Sequence, residues 1–161
     1  MCDQREIVFR LAETSDAAQL ADLRWRLKKE DCQDFAVGER DGFISTFVES
    51  DPRTSIIARY FHWVADLNWR VIGVMSVFKV PKMPSPRESG GTLGYLTNCY
   101  TLPAHRSQGI GSRLLSRVTI WAKQEGLELL FVWPSETSYK FYQRNGFDRL
   151  SDPLVLQIPD S

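Results

Sequence analysis

The chain has 161 residues, 43% of them apolar and 25% charged, which excludes collagenous, disordered and membrane-spanning classes and suits one domain, residues 1–161, with its own core. Lys plus Arg and Asp plus Glu each total 20, so there is no net positive field to draw in a phosphate backbone, and no nucleic-acid partner is expected. Residues 1–6 contain no apolar stretch of signal-peptide length and no later run approaches a membrane span, so a cytoplasmic location without a membrane partner is expected.

Residues 7–12 are short, β-branched and aromatic, which predicts a strand. Thr14, Ser15 and Asp16 can then cap a helix, and Ala17, Leu20, Ala21, Leu23 and Leu27 keep a roughly helical period over 17–30. That period turns Arg24, Arg26 and Lys28 toward water or a cleft. A weaker helix is predicted over 42–49, where Phe43, Ile44, Phe47 and Val48 recur before Asp51-Pro52 stops it. Strands at 56–65 and 69–80 follow, joined by a hairpin turn at Asp66-Leu67-Asn68. Pro81, Pro84, Pro86, Gly90 and Gly91 mark a loop.

Beyond that loop the pattern is a β-α-β-α unit: strand 93–101, a glycine loop, helix 111–124, strand 127–133 and helix 137–144. Residues 129–133 form an unbroken apolar run, which predicts a strand covered on both faces, and 154–158 supply a last strand. Cys2, Cys32 and Cys99 are odd in number and widely spaced, with only His62 and His105 as further soft ligands, so no metal site is expected. Cys32 and Cys99 read as buried free thiols, a catalytic Cys99 being the sharper alternative.

The central signal is Arg106-Ser107-Gln108-Gly109-Ile110-Gly111-Ser112, set between a strand and a helix whose apolar positions are Ile110, Leu114, Leu115, Val118 and Ala122. Glycines there let the backbone turn tightly and leave N–H groups at a helix N-terminus, where they and the helix dipole stabilise a diphosphate. A Walker loop would need Gly-Lys-Ser/Thr, but Gly111 precedes Ser112-Arg113. A dinucleotide loop would need a third glycine where Leu114 stands.

The remaining pattern, Arg/Gln-x-x-Gly-x-Gly/Ala at Arg106, Gly109 and Gly111, resembles the acetyl-CoA loop of the GCN5-related N-acetyltransferase (GNAT) superfamily. Residues 96–103 resemble that family's strand before the loop, and Phe141-Tyr142-Gln143-Arg144-Asn145-Gly146-Phe147 resembles its closing Phe-Tyr-x-x-x-Gly-Phe segment. The likeness is specific over 93–147 and architectural over 7–80. It implies an α/β fold with a central mixed, twisted sheet of six to seven strands and helices on both faces.

The resemblance also implies acetyl-CoA as donor and direct attack by an unprotonated amine on the thioester. Two parallel strands would splay apart to admit the pantetheine arm, here 98–102 and 130–133, with backbone groups of Thr101 and Leu102 holding its amides. Backbone N–H groups over Arg106, Ser107, Gln108, Gly109, Ile110, Gly111 and Ser112 would hold the pyrophosphate. Tyr142 matches the family tyrosine that can protonate the departing thiolate, as a phenol of reference pKa about 10 can; simple packing under the sulfur is its alternative role. Relatives often carry Asn and Ala where Ser135 and Ser138 stand; Ser135 can still hydrogen-bond the cofactor. Tyr139 and Phe141 read as core.

The general base is not legible; Glu136, Glu30 and Asp31 qualify by chain position, and Asn98 and Tyr100 could orient a substrate from their strand. The family's acceptor pocket forms near the first two helices, which Trp25, Phe35, Phe43, Phe47 and Trp63 make aromatic here, with Trp25 the substrate-wall candidate. A small amine is favoured over a protein tail, since no extended acidic patch is visible, and a homodimer is left open. Two other activities remain: acyl transfer with a different donor or acceptor, and a catalytically silent acyl-CoA-binding regulatory module, against which the intact Tyr142 weighs.

Overall fold

The computed structural model describes residues 6–31, 38–49, 59–84, 86, 91–149 and 156. Its elements are β1 (Val8–Leu11), α1 (Ala17–Asp31), α2 (Glu39–Glu49), β2 (Tyr60–Leu67), β3 (Arg70–Pro81), β4 (Thr92–Thr101), α3 (Ile110–Gln124), β5 (Leu127–Phe131) and α4 (Glu136–Arg144), with 3-10 turns at Thr14–Asp16 and Pro103–His105. The strands form one sheet in the order β1-β2-β3-β4-β5. β1 to β4 pair antiparallel in succession, and only β4 with β5 is parallel. The mixed sheet is as expected, with five strands among the described residues; the strand expected at 154–158 falls outside them apart from Leu156.

β3 is the strand that helices cover on both faces. Val71 to Val77 are buried without a break, α1 contacts it from one side and α3 from the other. The apolar run at 129–133 does not have this cover: Leu129 is 37% exposed and Trp133 68%. An apolar run shows that a strand can be buried, but its place in the sheet decides how many faces are, and β5 stands last in the order.

α3 packs through Ile110, Leu114, Leu115, Val118 and Ala122, the predicted stripe, joined by Trp121. α1 buries Leu20, Ala21, Leu23 and also Trp25, whose ring meets Phe43 of α2 at 5.6 Å. α2 thus supplies α1 with a second buried face, which one helical period could not show. The β2–β3 turn falls at Asn68 and Trp69, both with positive φ, so that Leu67 pairs Arg70. Asp66, placed in the turn by sequence, lies instead within β2 and is buried.

Asp66 is held there by Arg10. The guanidinium donates to Asp16 Oδ2 at 2.7 Å, Asp16 Oδ1 at 3.0 Å and Asp66 Oδ2 at 2.7 Å, and Asp16 in turn accepts from the Glu13 N–H at 2.7 Å. One cation therefore ties β1, the turn before α1 and the end of β2. No helix among the described residues is long and apolar enough to cross a membrane.

The hydrogen bonds from Arg10 outweigh burial and hold the Asp16 carboxyl below its ordinary range. A depressed folded-state value means that its contribution is full above about pH 4, the unfolded value, and is lost as pH falls through the lower folded value. Asp16→Asn should therefore cost about 2 kcal/mol at neutral pH and flatten the acid limb of stability. Urea midpoints at neutral and acid pH measure both, and a variant equal to the parent at pH 7 would show that Arg10 and Asp66 hold this corner alone.

Candidate active site

β4 and β5 pair at Thr92 with Leu127, Gly94 with Leu130 and Tyr95 with Phe131, and there the parallel ladder ends. β5 stops at Phe131 while β4 runs on to Thr101. Along 96–101, one edge of β4 therefore has no strand partner among the described residues. Gly94 permits the close approach before the split, because a Cβ there would stand 2.5 Å from Leu130 Cδ2. On its other edge β4 stays paired to β3, with a register shift where Asn98 takes φ 52°.

A cavity of about 400 Å³ opens at this split. Its walls come from Leu27, Glu30 and Asp31 at the end of α1, from Cys99, Tyr100 and Thr101 of β4, from the loop into α3, and from Ser135, Phe141 and Tyr142 around α4. Of the loop, Arg106, Ser107, Gly109, Ile110, Gly111 and Ser112 line it. Ser107 and Gly109 are both left-handed, at φ 59° and 75°, and a Cβ built on Gly109 meets nothing within 4 Å. The first N–H groups of α3 have no intrahelical partner, so this loop presents donors to the cavity. The Arg106 N–H is spent on the Pro103 carbonyl, which leaves the amides from Ser107 onward for an anion.

Tyr142 is 5% exposed and lies on the cavity wall. Its position follows from the end of α4: Gly146, at φ 91°, donates its N–H to the Gln143 carbonyl, and Phe147 folds back so that its N–H reaches the Tyr142 carbonyl at 3.0 Å. The Phe147 ring then packs on the Tyr142 ring at 5.4 Å. Tyr142 and Cys99 line the same cavity, and burial first, then Cys99 and Tyr95, push the Tyr142 pKa well above the ordinary phenol value. Burial likewise pushes the Cys99 thiol up to about 12, against the opposing hydrogen bond from Tyr142. Cys99 is thus a protonated thiol whose S–H donates to the Thr97 carbonyl, and it has no thiolate to offer as nucleophile.

A second polar group closes the cavity from the α1 side. Glu30 Oε1 accepts from Tyr100 Oη at 2.7 Å, and both its oxygens accept from Arg106 Nη2 at 2.9 Å. Arg106 Nε donates to the Thr101 carbonyl at 2.9 Å. Burial would raise the Glu30 pKa, but the bonds from Tyr100 and Arg106 outweigh it and hold the carboxyl below its usual range. Burial, with Glu30, pushes the Tyr100 phenol up to about 12. Sequence spacing named Glu30, Tyr100 and Arg106 singly; residues 30 and 106 meet only once α1 crosses the end of β4.

The remaining candidates divide. Ser135 caps α4 on the cavity wall, its hydroxyl donating to Ser138 Oγ at 2.9 Å. Gln108 points away, its amide donating to the Ala104 carbonyl at 3.2 Å. Leu102 has both backbone groups engaged, its N–H by Ile72 and its carbonyl by His105, and its side chain is core. Trp25 is buried and packed against α2 rather than on the cavity wall, and Asn98 donates to Ser76 Oγ at 3.3 Å with its Oδ1 buried and unpartnered among the described residues. Trp63 packs with Trp121 of α3, away from Phe43 and Phe47 on α2; Phe35, Cys2 and Cys32 lie outside the described residues. Asp31 lines the cavity beside Glu30, and Glu136 does not.

An open strand edge, a glycine loop with room at Gly109 and a phenol beside a thiol together fit a thioester donor bearing amides and a diphosphate. The comparisons agree. Residues 14–147 match the model of the Acetyltransferase (GNAT) family. Among solved structures, a predicted acetyltransferase with acetyl-CoA from Clostridium acetobutylicum superposes with TM-score 0.73 at 22% identity, covering 94% of this chain and 96% of that one. Glucosamine-6-phosphate N-acetyltransferase from Arabidopsis thaliana gives TM-score 0.66 at 16% identity, over 96% of this chain and 99% of that one. An aminoglycoside acetyltransferase from an uncultured soil metagenomic sample, in complex with sisomicin, gives 0.65 at 12%, over 96% and 97%. At such identities these are likenesses of fold. No curated protein matches the chain.

Gly109→Val should strain the left-handed turn by roughly 1–2 kcal/mol and put a branched side chain into the open space of the loop. CoA affinity measured by calorimetric titration is expected to fall by about tenfold or more with the unfolding transition retained. Unchanged affinity would reduce the loop to a helix cap.

Proposed function

The chain belongs to the acetyltransferase (GNAT) family, whose donor is acetyl-CoA, and from that premise we propose that it acetylates a small amine by direct transfer, with Tyr142 as general acid. Bound along the open edge of β4, the donor supplies an activated acyl thioester. The observation that carries the reading is the place of Tyr142: a buried phenol on the wall of the cavity that opens where β4 and β5 part, with Cys99 on the same wall.

The surroundings of that spot keep both groups protonated in the free protein. Tyr142 keeps its proton at every working pH, because burial raises its pKa. A thiolate released there meets the same low-dielectric surroundings, and Cys99, pushed up to about 12, reports what they do to a thiol. Burial strengthens an expelled thiolate as a base but weakens the phenol as an acid too, so the assignment rests on where Tyr142 stands on the cavity wall and not on a favourable pKa match.

The other residues take supporting parts. Thr101 and its neighbours on the open edge of β4 pair with the amides of the pantetheine arm, and the amides from Ser107 to Ser112 receive the diphosphate. Ser135, at the start of α4, adds a hydroxyl to the same wall. Glu30, its carboxyl held below the usual range and already paired with Arg106, is a poor general base, which leaves the proton of the incoming amine to solvent or to Asp31 on the same wall. A small acceptor is favoured because the acidic side chains reaching the cavity, Glu30 and Asp31, form no extended track for a basic peptide.

Tyr142→Phe keeps the ring packed on Phe147 and removes the proton. Turnover with acetyl-CoA and any accepted amine should fall by roughly 10²–10⁴-fold, with the Kd for CoA little changed. A variant within about twofold of the parent rate would take Tyr142 out of the chemistry and leave it as packing. CoA should also raise the parent's melting temperature in a concentration-dependent way, and NADH should do much less; equal stabilisation by both would overturn the assignment of the loop.

A further inference from the structure

We infer that Glu30 is a positioning residue for the diphosphate end of the donor: acting through Arg106, it fixes the entrance of the 106–111 loop in the shape that binds. The inference rests on the transferase reading above and adds to it a residue from the opposite wall of the cavity.

The geometry is a closed ring of contacts. Glu30, in the last turn of α1, accepts from the Tyr100 hydroxyl at 2.7 Å and from Arg106 with both carboxylate oxygens at 2.9 Å. Arg106 lies over the Tyr100 ring at 5.2 Å and donates through Nε to the Thr101 carbonyl at 2.9 Å. The Tyr100 hydroxyl, both Glu30 oxygens and the Arg106 Nε and Nη2 groups are thus directed at another member or at the end of β4. An isolated ion pair this exposed, with side chains 45% and 44% accessible, would contribute little. Closing it through a phenol, a carbonyl and a ring face leaves each side chain fewer ways to move, and networks of this kind are where exposed pairs do contribute.

The ring also settles what Arg106 does. Its Nε and Nη2 groups are held by Thr101 and Glu30, which fixes the side chain at the mouth of the loop. The left-handed Ser107 follows directly, and then Gly109, whose orientation sets where the amides point. A residue that anchors Arg106 therefore acts on the diphosphate through the backbone. Tyr100, a substrate-orienting candidate by sequence, has its hydroxyl engaged in the same ring.

The test is calorimetric binding of CoA and of pantetheine, which lacks the diphosphate, to the full chain, to Glu30→Ala, to Arg106→Gln and to the double variant. Glu30→Ala should weaken CoA by about three- to tenfold, the scale of one exposed network, and leave pantetheine within about twofold. The double variant should bind CoA no more weakly than Arg106→Gln alone, because Glu30 acts through Arg106. Unfolding midpoints confirm that each variant is folded. Unchanged or tighter CoA binding in Glu30→Ala, equal losses for CoA and pantetheine, or additive losses in the double variant would each overturn the inference. A parent chain that binds no CoA would overturn the transferase reading itself and this inference with it.

Discussion

Backbone N–H and C=O groups that leave a sheet ladder must find another partner, and along 96–101 one edge of β4 has none from a strand among the described residues. The rest of the site is arranged around that constraint. β5 ends at Phe131, so α4 can start at Glu136 and place Tyr142 against Cys99 of β4. β3 seals the other edge of β4, and its run of buried residues makes it the rigid support from which the open edge projects. The loop from β4 into α3 then brings its amides to the same opening, and a linear ligand with amides at one end and phosphates at the other matches both.

The polar groups around this opening fall into two sets with different surroundings. Tyr142 and Cys99 lie where burial dominates, and both are held protonated. Glu30 and Arg106 lie at the rim, where half-exposed charges pair and the Glu30 carboxyl is held below its usual range. The proposed proton chemistry on sulfur would use the first setting and the proposed orientation of a charged ligand the second. Tyr100 spans the two, with its ring in the core and its hydroxyl on Glu30.

Much of this was legible in the sequence because the informative residues are close together in the chain. Gly109 and Gly111 before the apolar stripe of α3, and Tyr142 before Gly146 and Phe147, are local patterns with local causes, a left-handed turn and a helix cap. What was missed depends on contacts between distant segments. Nothing in the helical period of α1 shows that Trp25 has α2 against it or that Glu30 reaches Arg106. The apolar run at 129–133 suggested a doubly covered strand because hydrophobicity carries no information about sheet order, and the strand so covered is β3. Asp66 looked like a turn residue because acidic side chains favour turns, until Arg10 supplied a reason to bury it.

The corner held by Arg10 also bears on how such a sequence can drift. A single guanidinium serves two carboxylates that are nearly inaccessible to water, Asp16 at 4% and Asp66 at 6% exposure. Losing the arginine first strands two buried anions, while losing either aspartate first leaves the arginine with the other. The order of replacement is therefore asymmetric: descendants can shed an acid and later the base, but rarely the reverse. Arg10 should outlast either of its partners in a lineage that keeps this fold.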